Sequence, residues 1–197
     1  QGCEFVFTGY VAYTTAVVTK VIGDKEVTVP AATHAALTQD ELRGGYVVIY
    51  NGTDNDAQFR GIIGNDAAVA NAAFVIYLDG QLTAAITTSS AIEVFQNPYM
   101  SLRLSASQTL SIAGIPAVPV SASGKYFWVQ KRGPVWVAPQ TNVISNQKGC
   151  FWRGSGTIES AGAALGVTVA ANSTSQYAGH TIEGDYAGIG PLFMLQG

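Results

Sequence analysis

Acid–base, thiol or metal chemistry in this chain would have to come from two histidines, two cysteines and 13 acidic side chains. His34 stands in an alanine-rich connection and His180 in a Gly/Thr loop, and no HExxH pattern sets two histidines on one helical face. No serine has glycine both two before and two after it, so the strained nucleophile elbow is missing. Gly154-Ser155-Gly156-Thr157 resembles a fragment of a phosphate loop without the lysine and second glycine at the required spacing, and reads as a turn. Cys150 would be a nucleophile only with a depressed pKa, which no neighbouring motif supplies; beside Phe151 and Trp152 it reads as core. Two cysteines make neither a disulfide scaffold nor a four-ligand zinc site, and a single Cys3–Cys150 bridge stays open. Oxygen ligands crowd in Asn51-Gly52-Thr53-Asp54-Asn55-Asp56, but the twelfth-position glutamate of a calcium loop is absent and Asn-Gly is a common turn dipeptide. No catalytic residue, metal or cofactor is therefore expected. The enzyme-side alternative is a carbohydrate-binding or glycan-cleaving module, with two carboxylates meeting about 5 to 9.5 Å apart and Trp128, Trp136 and Trp152 stacking on sugar rings.

Composition narrows the partners. The chain has 197 residues, 48% hydrophobic and only 12% charged, with a net charge of −3. Such a length buries a proper core, and no basic surface is available to hold a phosphate backbone, so nucleic acid is not expected. No apolar run approaches the roughly 20 residues that span a bilayer, and the first residues do not read as a signal peptide. A surface of Ala, Gly, Ser, Thr, Asn and Gln suits close packing against neighbours.

The elements that must carry these residues are strands. Residues 4–29 read as strand, turn and strand, with Gly23-Asp24 as the turn. Thr38-Gln39-Asp40-Glu41 matches a capping box, but Gly44-Gly45 follows one turn later, which predicts no more than a 3₁₀ turn. Residues 45–50 form a buried strand, 59–63 another, and residues 74–78, Asp79-Gly80 and 82–88 read as a hairpin. From residue 91 onward breakers recur every eight to twelve residues, which predicts short strands. Leu165, Val167 and Val169 alternate strictly, and the last residues read as a paired strand. The expected fold is mainly β, an antiparallel β-sandwich or barrel-like domain with at most one or two short helical turns. It is taken as one domain over residues 1–197, with any subdivision near residues 105–124.

The densest aromatic content lies at Tyr126, Phe127, Trp128 and Trp136. Residues 126–130 and 135–137 read as two strands reversing at Arg132-Gly133-Pro134, since Gly133 accepts a positive φ and Pro134 cannot donate to a ladder. Period two sorts Tyr126, Trp128 and Gln130 to one face and Phe127, Val129 and Lys131 to the other. With a large ring on each face, the segment has either two core contacts or one core contact and one partner.

Residues 115–120, then Gly124-Lys125-Tyr126-Phe127-Trp128-Val129-Gln130 followed by Arg132-Gly133-Pro134, resemble a segment of tailed-bacteriophage virion proteins, in particular head decoration or cement proteins. The glycine-rich close ending in Gly190-Pro191-Leu192-Phe193-Met194-Leu195 is similar in style, so the resemblance spans about residues 112–197. It implies a non-enzymatic protein assembled in the bacterial host cytoplasm. There it would bind the major capsid protein on the capsid exterior, commonly as a homotrimer, with neither nucleic acid nor membrane as partner. On that reading Tyr126, Trp128, Trp136 and Trp152 are the candidate intersubunit residues.

Overall fold

A computed structural model of the chain describes residues 2–5, 9–15, 18–51, 57–104, 110–122, 124–136, 148–152, 156–160, 176–183 and 192–196. Among these residues the protein is mainly β, with strands paired antiparallel and no helix. It divides into two compact units, Phe7–Met100 and Gln1–Val6 with Ser101–Gly197.

In the Phe7–Met100 unit, six strands form one sheet. β2 (Gly9–Thr15), β7 (Ala91–Phe95), β4 (Tyr46–Tyr50), β5 (Ala57–Asn65), β6 (Phe74–Leu78) and β3 (Glu26–Val29) lie side by side in that order. The nine-residue β5 pairs with β4 through its first half and with β6 through its second, the register shifting between Ile62 and Gly64. Such a bulge bends a strand, so the sheet curls around one core. Alternation decides the inner face: Val47 and Ile49 of β4, Ile76 and Leu78 of β6, and Ile92 and Val94 of β7 are buried together. Each fully buried aliphatic chain of this kind stabilises the fold by roughly 1.5–3 kcal/mol.

In the other unit, β10 (Val129–Gln130), β9 (Ile112–Pro116), β1 (Cys3–Phe5) and β8 (Leu102–Leu104) make a four-stranded sheet. β11 (Arg132–Trp136), β15 (Leu192–Gln196), β14 (Tyr177–Glu183), β12 (Gly149–Trp152) and β13 (Ile158–Ser160) make a five-stranded one. Ile112, Ile115, Cys150, Trp152, Ile158, Phe193 and Leu195 share a core. The Gln176 side chain bridges toward β9, its Oε1 accepting from Ile112 N at 2.6 Å and its Nε2 donating to Ile112 O at 2.9 Å.

Several expectations are corrected. The Asp79-Gly80 hairpin does not form: β6 pairs with β3 and β5, and residues 82–88 contain no strand. Leu82 and Ile86 are buried in the core instead, Leu82 bonding to the backbone of Gly23 and Asp24. Gln58 holds the backbone between them, its Oε1 accepting from Thr83 N at 2.7 Å and Ala84 N at 3.1 Å. The segment read as strand, turn and strand in residues 4–29 is shared out, β1 pairing with β8 and β9 while β2 and β3 belong to the curled sheet. His180 lies in strand β14 and not in a loop. Residues 39–44 are successive turns and no helix, as the early Gly44-Gly45 implies, with the Thr38 hydroxyl and amide both donating to Glu41 Oε2 at 2.8 Å. Most of the oxygen-rich cluster, at residues 52–56, and the alternation at Leu165, Val167 and Val169 lie outside the described residues.

Candidate functional site

The aromatic run does not reverse. β10 pairs with β9, Val129 opposite Pro116 and Gln130 opposite Ile115, and β11 pairs with β15, Gly133 opposite Leu195 and Pro134 opposite Met194. One chain therefore passes from the edge of the four-stranded sheet to the edge of the five-stranded sheet at Lys131. The two residues that suggested a turn make this step. Gly133 takes φ +96, and the Gln130 side chain reaches past it to donate to Arg132 O at 3.2 Å and Pro134 O at 2.9 Å. Pro134 lacks an amide proton but sits on an edge strand, where its ladder side needs none.

Anchoring on one side leaves the rings on the other. Ala117 N donates to Trp128 O at 2.8 Å. Gly114, at φ +148, lets β10 approach so closely that a Cβ there would stand 2.5 Å from Gln130 O. Val135 packs on the core. Outward, Tyr126 is 105% exposed, Trp128 86% and Trp136 64%. Phe127 is half-buried and forms one wall of an apolar cleft of about 280 Å³ shared with Leu102, Leu104, Pro116 and Val120. Lys125, Lys131 and Arg132, all exposed, give the run three positive charges and no acid.

The fourth candidate residue is placed differently. Trp152 is 7% exposed, packed with Ile112, Cys150 and Phe193, and its ring lies 3.0 Å from where a Cβ on Gly2 would stand. It is a core residue, because the inward parity of β12 turns Cys150 and Trp152 to the same side. The structure thus sets Tyr126, Trp128 and Trp136 along one exposed run and removes Trp152 from the surface.

Both cysteines and His34 have structural partners. Cys3 and Cys150 are both free and buried, so no bridge joins them. Cys3 Sγ donates to Gly114 O at 3.3 Å, and Cys150 Sγ shares a hydrogen bond of 3.0 Å with Thr181 Oγ1. Burial pushes both thiols up from their ordinary range, the opposite of what a thiolate nucleophile requires. The His34 ring lies against Tyr10 and Phe74, its Nδ1 and Nε2 within 2.6 and 2.7 Å of Ala35 O and Ala72 O. Among the described residues no group of three or more His, Cys, Asp or Glu is placed to hold a metal ion, and no helix is long and apolar enough to cross a membrane.

Two buried amides escaped sequence reading. Gln58 and Asn65 are buried and hydrogen-bonded at both ends of the amide, Asn65 accepting from Leu42 N at 2.8 Å and donating to Thr38 O at 2.9 Å and Asp66 O at 2.8 Å. Their signal was an amide at an inward position of a strand. Compared with family models, with curated proteins and with solved structures, the chain matches none.

Proposed function

We propose that this chain is a non-enzymatic structural protein of a bacteriophage virion. It decorates the outer surface of the capsid, where it contacts the major capsid protein and neighbouring copies, as a homotrimer. The observation that supports the reading is the exposure of Tyr126, Trp128 and Trp136 on a run whose other side is fastened to two sheet edges. Large aromatics held by a rigid backbone lose little entropy on docking and carry much of the energy of protein interfaces. An aromatic ring of this size buries about 150–250 Å². At ~25 cal/mol per Å², its complete burial against a partner offers about 4–6 kcal/mol before the costs of association. The assembly function stands on that geometry, and the capsid as the partner comes from the resemblance of residues 112–197 to decoration proteins.

The same exposed indole rings also suit stacking on sugars, which keeps a glycan-binding module as the second reading. One experiment separates the two. Purified protein is mixed with expanded capsids that lack their decoration protein, and separately passed over glycan columns. The decoration reading expects stoichiometric retention on capsids and none on glycans. Retention on a glycan column that Trp136→Ala abolishes would replace it with the second reading.

A further inference from the structure

The outward face of the curled sheet carries a second aromatic surface of opposite charge. Residues directly opposed in antiparallel strands share a face. Phe95, Tyr46 and Gly61 therefore make one outward row, and Glu93, Val48 and Phe59 the next. Tyr46 and Phe59 stack with centroids 5.2 Å apart and planes at 16°, yet they remain 39% and 58% exposed. The glycines on this face make room for carboxylates. Asp79 Oδ2 lies 2.6 Å from where a Cβ on Gly61 would stand, and Asp40 lies against Gly64.

One strand further, Glu26 and Gly64 flank Tyr77, whose hydroxyl donates to Asp66 Oδ1 at 2.9 Å. That bond, with desolvation and then the charges of Asp66, Glu26 and Asp40, pushes the Tyr77 phenol up from its ordinary 10.0. Of the unit's four cations, Lys20 pairs with Glu26 and the Arg60 guanidinium donates to Gln81 O and Phe59 O, while Lys25 and Arg43 are exposed, so the acids of this face outnumber the cations beside them.

This local pattern follows the sequence as a whole. Phe7–Met100 holds nine acidic against four basic residues, and the remainder of the chain four against six. The basic excess is concentrated where the exposed rings are, at Lys125, Lys131 and Arg132. Two acidic faces repel each other, as do two basic runs, so neither surface is suited to pair with itself. Each is suited to the other, aromatic against aromatic with opposite charges at the margins.

We infer that the outward face of the six-stranded sheet is a docking surface for the cationic aromatic run of a second copy of this chain. The contact is heterologous, head to tail, and closes into a ring or continues as a strand of copies according to its rotation. It rests on the reading of residues 124–136 as an intersubunit surface and names the partner of that surface.

Charge-swapped full-length variants test it by analytical ultracentrifugation. Phe59→Lys places a cation on the acidic face, and Trp128→Glu places an acid on the basic run. Wild type is expected to self-associate, about tenfold or more weakly in 1 M salt than in 0.1 M, where the Debye length changes from about 3 to about 10 Å. Each variant alone is expected to be monomeric with a wild-type circular dichroism spectrum. Their mixture is expected to form pairs of one copy each, because each variant retains the surface the other has lost. Lys125→Glu with Lys131→Glu, two exposed positions, repeats the test of the run without touching a ring. A monomeric wild type, or a mixture that stays monomeric, overturns the inference. Self-association of Phe59→Lys at wild-type strength, with Trp128→Glu monomeric, also overturns it while leaving the run as an interface. Wild-type association by both variants and by the double lysine variant removes the run as an interface as well.

Discussion

The three tryptophans differ in burial because of where the backbone places them, Trp152 inward on β12, Trp136 outward on β11 and Trp128 just before β10. Trp152 faces inward from β12 and fills the core, so Trp152→Ala is expected to cost about 3–5 kcal/mol in a denaturant titration. Trp128 and Trp136 face outward with their backbones fastened elsewhere, so their alanine variants are expected to keep wild-type stability to within about 0.5 kcal/mol. In an assembly assay, Trp128→Ala is expected to lose about 2 kcal/mol or more, about 30-fold in affinity. The cysteines give a pH prediction. Burial raises both thiol pKa values in the folded state, so above the ordinary thiol value of 9.0 the unfolded chain has lost protons that the folded chain still holds. Stability contributed by the protonated thiols is present below 9.0 and falls as pH rises past it. Denaturant midpoints of wild type and the Cys3→Ala, Cys150→Ala double variant, measured across that range, should converge as pH rises.

Among the elements, strands of the curled sheet were legible where a short apolar run rich in β-branched and aromatic residues is bounded by turn residues, as in residues 45–50 and 74–78. Partners were not legible, because pairing depends on what else competes for the edge. Leu82 and Ile86 read as the second arm of a hairpin, and the core took them instead. Gly133 and Pro134 read as a reversal; the positive φ is there, yet each residue is paired to β15 and the chain goes straight on into a second sheet. Of the candidate residues, Tyr126, Trp128 and Trp136 were singled out by aromatic density and are exposed, whereas the burial of Trp152 depended on the parity of a strand whose partners lie far along the chain. The positive φ at Gly133 is testable. A β-branched side chain is strained at φ +96, so Gly133→Val should cost about 1–3 kcal/mol in a thermal or denaturant melt. Asn65→Ala leaves the Leu42 amide and the Thr38 and Asp66 carbonyls without their partner, and should cost about 2–4 kcal/mol by the same measurement.

At the scale of the whole molecule, the first strand serves the far end of the sequence. β1 pairs with β8 on one side and β9 on the other, the centre of a sheet otherwise built from residues after 100. No composition break marks this, since two compact units here share a chain that leaves one and returns to it. Removal of residues 1–6 should therefore abolish amide protection in β8 and β9 and leave that of the Phe7–Met100 sheet intact, as read by hydrogen exchange. The outward rings of residues 124–136 are proposed here as an assembly surface, and their own fluorescence reports on it. Tryptophan emission is followed while expanded, undecorated capsids are titrated into protein diluted until it is monomeric. Burial of Trp128 and Trp136 predicts a blue shift that saturates at a fixed number of copies per shell and disappears in Trp128→Ala, Trp136→Ala. Co-sedimentation with the capsids at full occupancy, with the emission unchanged, would contradict it.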